Sequence, residues 1–287
     1  MTQTTLKLIA RAVMLADHIG EFIPGRPLLL RLIGRISAPV FVFCAVQGAL
    51  HTRDRIKYLK RLYLWGVFMG AMDFFLNSLL PVLGRPCDNN IFPSLFLIVL
   101  FIHIWEKYKE NSAGYTGQNR YISPADADAG RKRDRILSLI GFFIIPAVLR
   151  MGLIFRETAL SPLPVYNILD ALLPNIITCE GSIAVVAMGV VLYQCKKDRK
   201  TLTLGYIAYC GVYLATVLCR YFSSGRRVWL PVSDWLFIYN YQWLQILALP
   251  FIICYNGRRG KGYSRFFYIF YPLHIGIFAV TGYFLTF

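Results

Sequence analysis

The stretch RISAPVFVFCAVQGALHTRDRIKYLKRLYLWG, residues 35–66, decides the fold. Its first half, 35–51, is an apolar run of the length a helix needs to cross a hydrocarbon core of about 30 Å at about 1.5 Å per residue. Residues 51–61 then carry five Lys or Arg, and a second apolar run starts at 61. An apolar span, a short basic turn and a returning span read as a helical hairpin in a bilayer.

The same pattern recurs along all 287 residues, which are 56% hydrophobic and 15% aromatic. The mean hydropathy is +0.51. Apolar runs fall near 5–24, 35–51, 61–82, 91–106, 136–156, 175–194, 203–222, 235–255 and 266–285, so the expected fold is an all-α, polytopic membrane helix bundle of nine transmembrane helices. The net charge of +16 would point to nucleic acid in a soluble chain. Here the Lys and Arg sit in short tracts between spans, which positive-inside topology explains, and no nucleic-acid partner is expected.

The tracts 51–61, 106–135, 195–202 and 256–265, with Lys7 and Arg11, hold most of the 31 basic residues. All fall on one face if nine helices alternate. The amino terminus is therefore expected in the cytoplasm and the carboxyl terminus outside, in a multi-pass cell-membrane protein. Segment 106–135 reads as a flexible cytoplasmic loop within one domain spanning 1–287. Arg11, Asp17 and His18 interrupt the first apolar run, which reads as a retained helix and not as a cleaved signal. The seven cysteines lack CxxC spacing. Most read as small apolar filler, while Cys87 and Cys179 fall near one face and are a weak pairing candidate.

Ionisable side chains inside a span are costly and mark sites of pairing or function. In VMLADHIGEF, residues 13–22, Asp17 and His18 are neighbours, but on a helix they point about 100° apart and cannot pair with each other. Asp17 is expected to meet Arg35 or Arg31 on the next helix, either as a structural ion pair or as part of a reacting site. His18 shares a face with Arg11 and carries a group able to take a proton from an amine or hydroxyl; a plain interhelical hydrogen bond is the alternative. His274, in FYIFYPLHIG, is a second base or a substrate ligand. His103 and His51, near the inner ends, suit phosphate or interface contacts. Glu180 lies in the outer half and Asp73 in the middle to outer part of its span.

The flank GALHTRDRIKYLKRLY reads in two ways: as membrane anchoring by basic and aromatic residues, or as a site for a polyanionic cytoplasmic ligand. The loop GRRGKG, 257–262, has charge and flexibility for the same ligand but lacks P-loop order. No metal-ligand spacing occurs, so no metal is expected, and GxSxG is absent.

MLADHIG, LIGRISAPVFVFCAVQG, HTRDRIKYLKRL, NNIF and FYIFYPLHI, in that order, resemble the TraX family of conjugation-associated pilin acetylases. That family is related to transmembrane acyltransferases, among them the heparan-alpha-glucosaminide N-acetyltransferases. The resemblance implies transfer of an acetyl group from cytoplasmic acetyl-CoA to an amine or hydroxyl of an extracytoplasmic peptide, pilin or glycan. It implies His18 as general base, with Asp17 and Arg35 positioning it or binding substrate. Gly34, Pro39 and Gly48 would bring the second helix close to the ligand. Thr52, Arg53, Lys57, Tyr58 and Arg61 would bind CoA, and His274, Glu180 and Asp73 would meet the acceptor. Arg35 or a helix-end amide would stabilise the oxyanion. Membrane lipids are the expected surroundings, and homodimer formation is left open. The rivals are a proton-coupled transporter or flippase of a polar or lipid-linked solute, and a non-catalytic assembly factor.

Overall fold

A computed structural model describes all residues except 24, 26–27, 80–86, 111–123, 158–164, 225–228, 263 and 287. The described residues are all-α, with no strand. The chain opens with α1 (Gln3–Phe22), α2 (Leu28–Gly34) and α3 (Ser37–His51), followed by α4 (Arg55–Leu79) and α5 (Phe92–Glu110). Next come α6 (Pro124–Leu139) and α7 (Ile145–Glu157), joined by a π-helical turn at Ile140–Ile144, then α8 (Val165–Leu172) and α9 (Ser182–Gln194). After α10 (Arg199–Ser223), a short α11 (Val232–Asp234) runs through π and 3-10 turns into α12 (Leu249–Ile253), and α13 (Ser264–Thr286) closes the chain.

Five of these helical stretches are long and apolar enough to cross a membrane: Leu28–His51, Arg55–Leu79, Lys132–Gly152, Arg199–Ser223 and Phe266–Leu285. A sixth is the pair Val232–Tyr239 and Tyr241–Ile253, bent by 63° at Asn240. The remaining expected spans fall short for separate reasons. α1 carries Lys7, Arg11, Asp17 and Glu21, and α5 ends in EKYKE. The run expected over 175–194 is helical only from Ser182, because Asn175 turns the chain first. Its Oδ1 accepts from the Ile177 and Thr178 amides, both at 3.0 Å, a local competitor to helix.

Within segment 106–135, read as a flexible loop, α5 runs to Glu110 and α6 starts at Pro124, and residues 111–123 lie outside the described residues. Cys87 and Cys179 are both free thiols.

Contacts divide the chain into two compact units. The first comprises Met1–Gln47, Phe75–Asn89 and Ala187–Phe287; the second comprises Gly48–Phe74 and Asn90–Val186.

In the first unit α1 turns Leu6, Ala10, Arg11, Met14, Asp17 and His18 inward, a stripe at three- and four-residue spacing. It runs parallel to α13. At one end the Gln3 and Thr4 amides donate to the Arg258 and Arg259 carbonyls, and at the other Gly282 lies against Phe22. The GRRGKG loop is therefore not a free flexible segment, since its carbonyls cap α1. On α13, Phe266, Ile269, Leu273, Ile277, Val280 and Phe284 are exposed along one stripe, while Tyr271, His274, Ile275 and Ala279 are buried on the opposite side. Such a helix has one face for lipid and one for protein.

In the second unit side chains clamp helices through carbonyls. Tyr63 Oη donates to Leu172 O at 3.0 Å, Asn90 Nδ2 to Gly66 O at 2.9 Å and Ser94 Oγ to Glu180 O at 2.6 Å. Arg150 Nε meets Asp170 Oδ1 at 2.6 Å. Apolar Leu64 and Phe68 project outward from the part of α4 in this unit, at helical spacing.

Candidate active site

His18 and His274 come together in the first unit. His18 Nδ1 lies 2.8 Å from His274 Nε2, and His274 Nδ1 lies 2.8 Å from the Phe270 carbonyl oxygen. The two residues are 6% and 5% exposed, and their rings are inclined by only 9°. A carbonyl can only accept, so His274 Nδ1 carries a hydrogen and donates it. Neutral His274 then has a bare Nε2, which must accept, so the hydrogen between the rings belongs to His18 Nδ1. The consequence is a bare lone pair on His18 Nε2, which has no hydrogen-bond partner among the described residues. This polarity is what a general base needs, a lone pair with the ring held from behind.

His274 is kept in place by stacking on Phe270, with ring centroids 5.0 Å apart, and by the edge of Tyr271 at 5.6 Å. Pro272 stands inside α13, yet the helix continues through it. The carbonyl that fixes the tautomer comes from Phe270, one turn back. It was legible only as one of the acceptors that any helix offers at i−4.

Asp17 faces away from this pair. Its Oδ2 is hydrogen-bonded to Arg35 Nη2, and its Oδ1 is 3.0 Å from Arg31 Nη1, close but not aligned as a hydrogen bond. Arg31 also meets Glu21 Oε2 at 2.9 Å and Tyr241 Oη at 3.4 Å. The Arg35 guanidinium lies over the Tyr241 ring at 5.3 Å, and its Nε donates to Arg31 O. Gly34 makes this possible, because a Cβ there would fall on the Asp17 side chain. Its small size lets α2 pack onto Asp17. Arg35 is thus engaged in an ion-pair network that fixes α1 to α2 and to the bend at Asn240. Sequence reasoning found Asp17, Arg31 and Arg35 but missed Glu21 and Tyr241.

The basic flank lies in the second unit. Thr52, Arg53, Asp54, Arg55, Ile56 and His103 line an open cavity of about 500 Å³. Thr52 and Arg53 are therefore on the cavity wall, while Lys57, Tyr58 and Arg61 are not. Lys57 and Arg61 are exposed, and Lys57 Nζ is 3.5 Å from Asp54 Oδ2. Tyr58 packs on α3 at Gly48, where a Cβ would come within 3.1 Å of its hydroxyl. The Lys57 amide donates to Asp54 Oδ1 at 2.9 Å and starts α4. That bond holds the exposed Asp54 carboxyl below its ordinary range.

Asp73 is fully buried on α4, and Glu180 is half-buried in the turn before α9. Both belong to the second unit, whereas His274 belongs to the first. Among the described residues no three His, Cys, Asp or Glu converge as a metal would require.

A curated relative, the probable fimbrial assembly protein FimC, serogroup H1, of Dichelobacter nodosus, is 25% identical over 289 aligned positions, covering 98% of this chain and 95% of the relative. No solved structure matches the chain. The stretch that brings together DHIG, GRISAPVFVF and KYLKRL is also the stretch that a family pattern covers: residues 2–115 match the TraX protein family.

Proposed function

We propose that this chain is a multi-pass cell-membrane acyltransferase that moves an acetyl group from cytoplasmic acetyl-CoA to an amine or hydroxyl of an extracytoplasmic acceptor. The observation that carries the reading is the Phe270–His274–His18 relay, which leaves Nε2 of the buried His18 side chain as an oriented base. The relative named as a probable fimbrial assembly protein makes a pilin or similar envelope peptide the first acceptor to try, with a glycan next. The two compact units act as one acyltransferase domain with nine crossings and a cytoplasmic amino terminus.

His18 Nε2 takes the acceptor proton as the acceptor nitrogen or oxygen attacks the thioester carbonyl, forming the new C–N or C–O bond. As the tetrahedral intermediate collapses, the C–S bond breaks and His18 returns the proton to the departing thiolate. His274 holds the His18 Nδ1–H throughout and so keeps Nε2 aimed. Asp17, Arg31 and Arg35 fix the helix that carries His18. Thr52, Arg53 and the exposed Lys57 and Arg61 suit the phosphates of the donor, and Asp73 and Glu180 are further acceptor-side candidates.

Purified protein in detergent, given acetyl-CoA and a lysine-bearing peptide, should release CoA thiol only when the peptide is present, and His18→Ala should stop the release. Complete lack of CoA binding by calorimetry would remove the reading. The bend at Asn240, beside Arg31 and Arg35, favours a proton-coupled transporter or flippase as second reading, since broken helices line many transport sites. Proton-driven solute uptake by proteoliposomes without CoA would select it.

A further inference from the structure

Arg11 lies two turns before His18 on the buried face of α1 and is 5% exposed. Its guanidinium carbon is 3.5 Å from the Phe267 ring centroid, 4.7 Å from that of Phe266 and 5.1 Å from that of Phe270. Nη1 and Nη2 are both buried, and neither has a hydrogen-bond partner among the described residues. Lys7 Nζ approaches the same Phe267 ring at 5.4 Å, so a second cation, not a counter-ion, shares it.

A guanidinium stays protonated in proteins and presents its N–H donors as a planar fork. Attraction to three ring faces returns part of the cost of taking the charge out of water, but it makes no N–H bond. The unused donors ask for an acceptor that arrives with the ligand. Phe270, one wall of the aromatic box, stacks on His274, which holds His18. Arg11 and His18 therefore stand at two ends of one ladder along α1 and α13, separated by about 10 Å of helix. Phe266, another wall, is half-exposed.

We propose that Arg11 is the receptor for an oxyanion, a phosphate or a carboxylate, carried by the same ligand whose reacting end meets His18 Nε2. This rests on the acyl-transfer reading and names the charge of its substrate; Arg11 positions the ligand and moves no proton. The oxyanion belongs either to the donor, as a phosphate, or to the acceptor, as a carboxylate.

The test is calorimetry on wild type, Arg11→Lys and Arg11→Met in detergent, with folding checked by circular dichroism and thermal melting. One arm uses CoA, 4′-phosphopantetheine and uncharged pantetheine. The other uses a lysine-bearing peptide with a free carboxylate and its amide. In one arm the charged ligand should bind wild type on the order of ten-fold tighter than its uncharged partner. In Arg11→Met that ratio should fall to about one for the carboxylate pair, and for the phosphate pair to what Arg53 and its neighbours still supply; Arg11→Lys should keep it only in part. The arm that responds identifies the source.

If Arg11→Met folds and keeps both ratios, Arg11 is only a strut between aromatic rings and the proposal is wrong. If wild type binds no CoA yet Arg11→Met loses the carboxylate preference, the donor reading fails while the Arg11 site stands. CoA binding equally to wild type and both variants, with the carboxylate preference also unchanged, keeps the donor reading and overturns the Arg11 site. Should Arg11→Met not fold, Arg11→Lys decides alone, because it keeps the charge but loses the fork.

Discussion

His18 Nδ1 donates to His274 Nε2 across 2.8 Å, joining the first and last helices of the chain through side chains 256 positions apart. The hydrogen-bond polarity is fixed from outside the pair by the Phe270 carbonyl, so the two imidazoles are not equivalent. His18 has the bare nitrogen, and His274 is its holder.

That inequality predicts unequal kinetics. His18→Ala should lower kcat for acetyl transfer by about 10²–10⁴-fold. His274→Phe removes the acceptor for the His18 Nδ1–H and should cost on the order of 10²-fold through misplacement of the base. His274→Gln keeps a carbonyl acceptor and should recover most of that loss, and CoA affinity should be unchanged in all three. Steady-state rates with calorimetry check this; a full rate in His18→Ala would transfer the base role to His274.

Much of this geometry was legible because helical spacing is rigid. Residues 11, 14 and 18 share a face by construction, and the 100° between Asp17 and His18 sends them to different partners before any fold is known. What spacing cannot supply is which distant helix arrives opposite. His274 stood in the sequence with two open roles, second base or substrate ligand, and Tyr241 looked like one aromatic among many. Arg11 was readable as a neighbour of His18 but not as a cation boxed by Phe266, Phe267 and Phe270, since those phenylalanines reach it only through the parallel packing of α1 and α13. The shortened α9 was missed because apolar content over 175–194 outweighed the turn chemistry of Asn175.

The Asp17 network should rank its variants by how many charges each leaves stranded. Asp17→Asn removes the shared anion of Arg31 and Arg35, whose side chains are 18% and 12% exposed. It should destabilise the fold by about 3–5 kcal/mol. Arg35→Met leaves Asp17 with Arg31 and should cost less. Gly34→Ala forces a methyl onto Asp17 and should cost about 1–3 kcal/mol by overpacking. Thermal melting in a single detergent checks the order; Arg35→Met proving worse than Asp17→Asn would break the argument.

Placement on or off the cavity wall sorts the basic flank. Arg53 lines the cavity, so Arg53→Ala should raise the CoA Kd on the order of ten-fold. Lys57 and Arg61 act from the exposed surface, so their Ala variants should shift Kd by less than about five-fold, and the shift should vanish near about 0.5 M salt. Calorimetry at two salt concentrations separates the classes. Equal, salt-insensitive losses at all three positions would mean that the donor contacts lie elsewhere.

The parallel packing of α1 and α13 constrains the crossing number. Residues 3–4 bond to 258–259, so both helices start on the same side, and Phe22 meets Gly282 at the far end. A chain whose first and last spans run the same way crosses an odd number of times. The five apolar helices and the bent pair make six, and an odd total is reached if one further helix crosses. α1 is the first choice: its 20 residues cover about 30 Å, and its ionisable groups face Arg31, Arg35, His274 and the phenylalanines instead of lipid. Counting α5 and α9 as well gives nine. Reporter fusions should therefore place the amino terminus and loop 256–262 together on the cytoplasmic side and the carboxyl terminus outside. Finding both chain ends on one side would break the parallel pairing of α1 with α13, and the His18–His274 contact would fall with it.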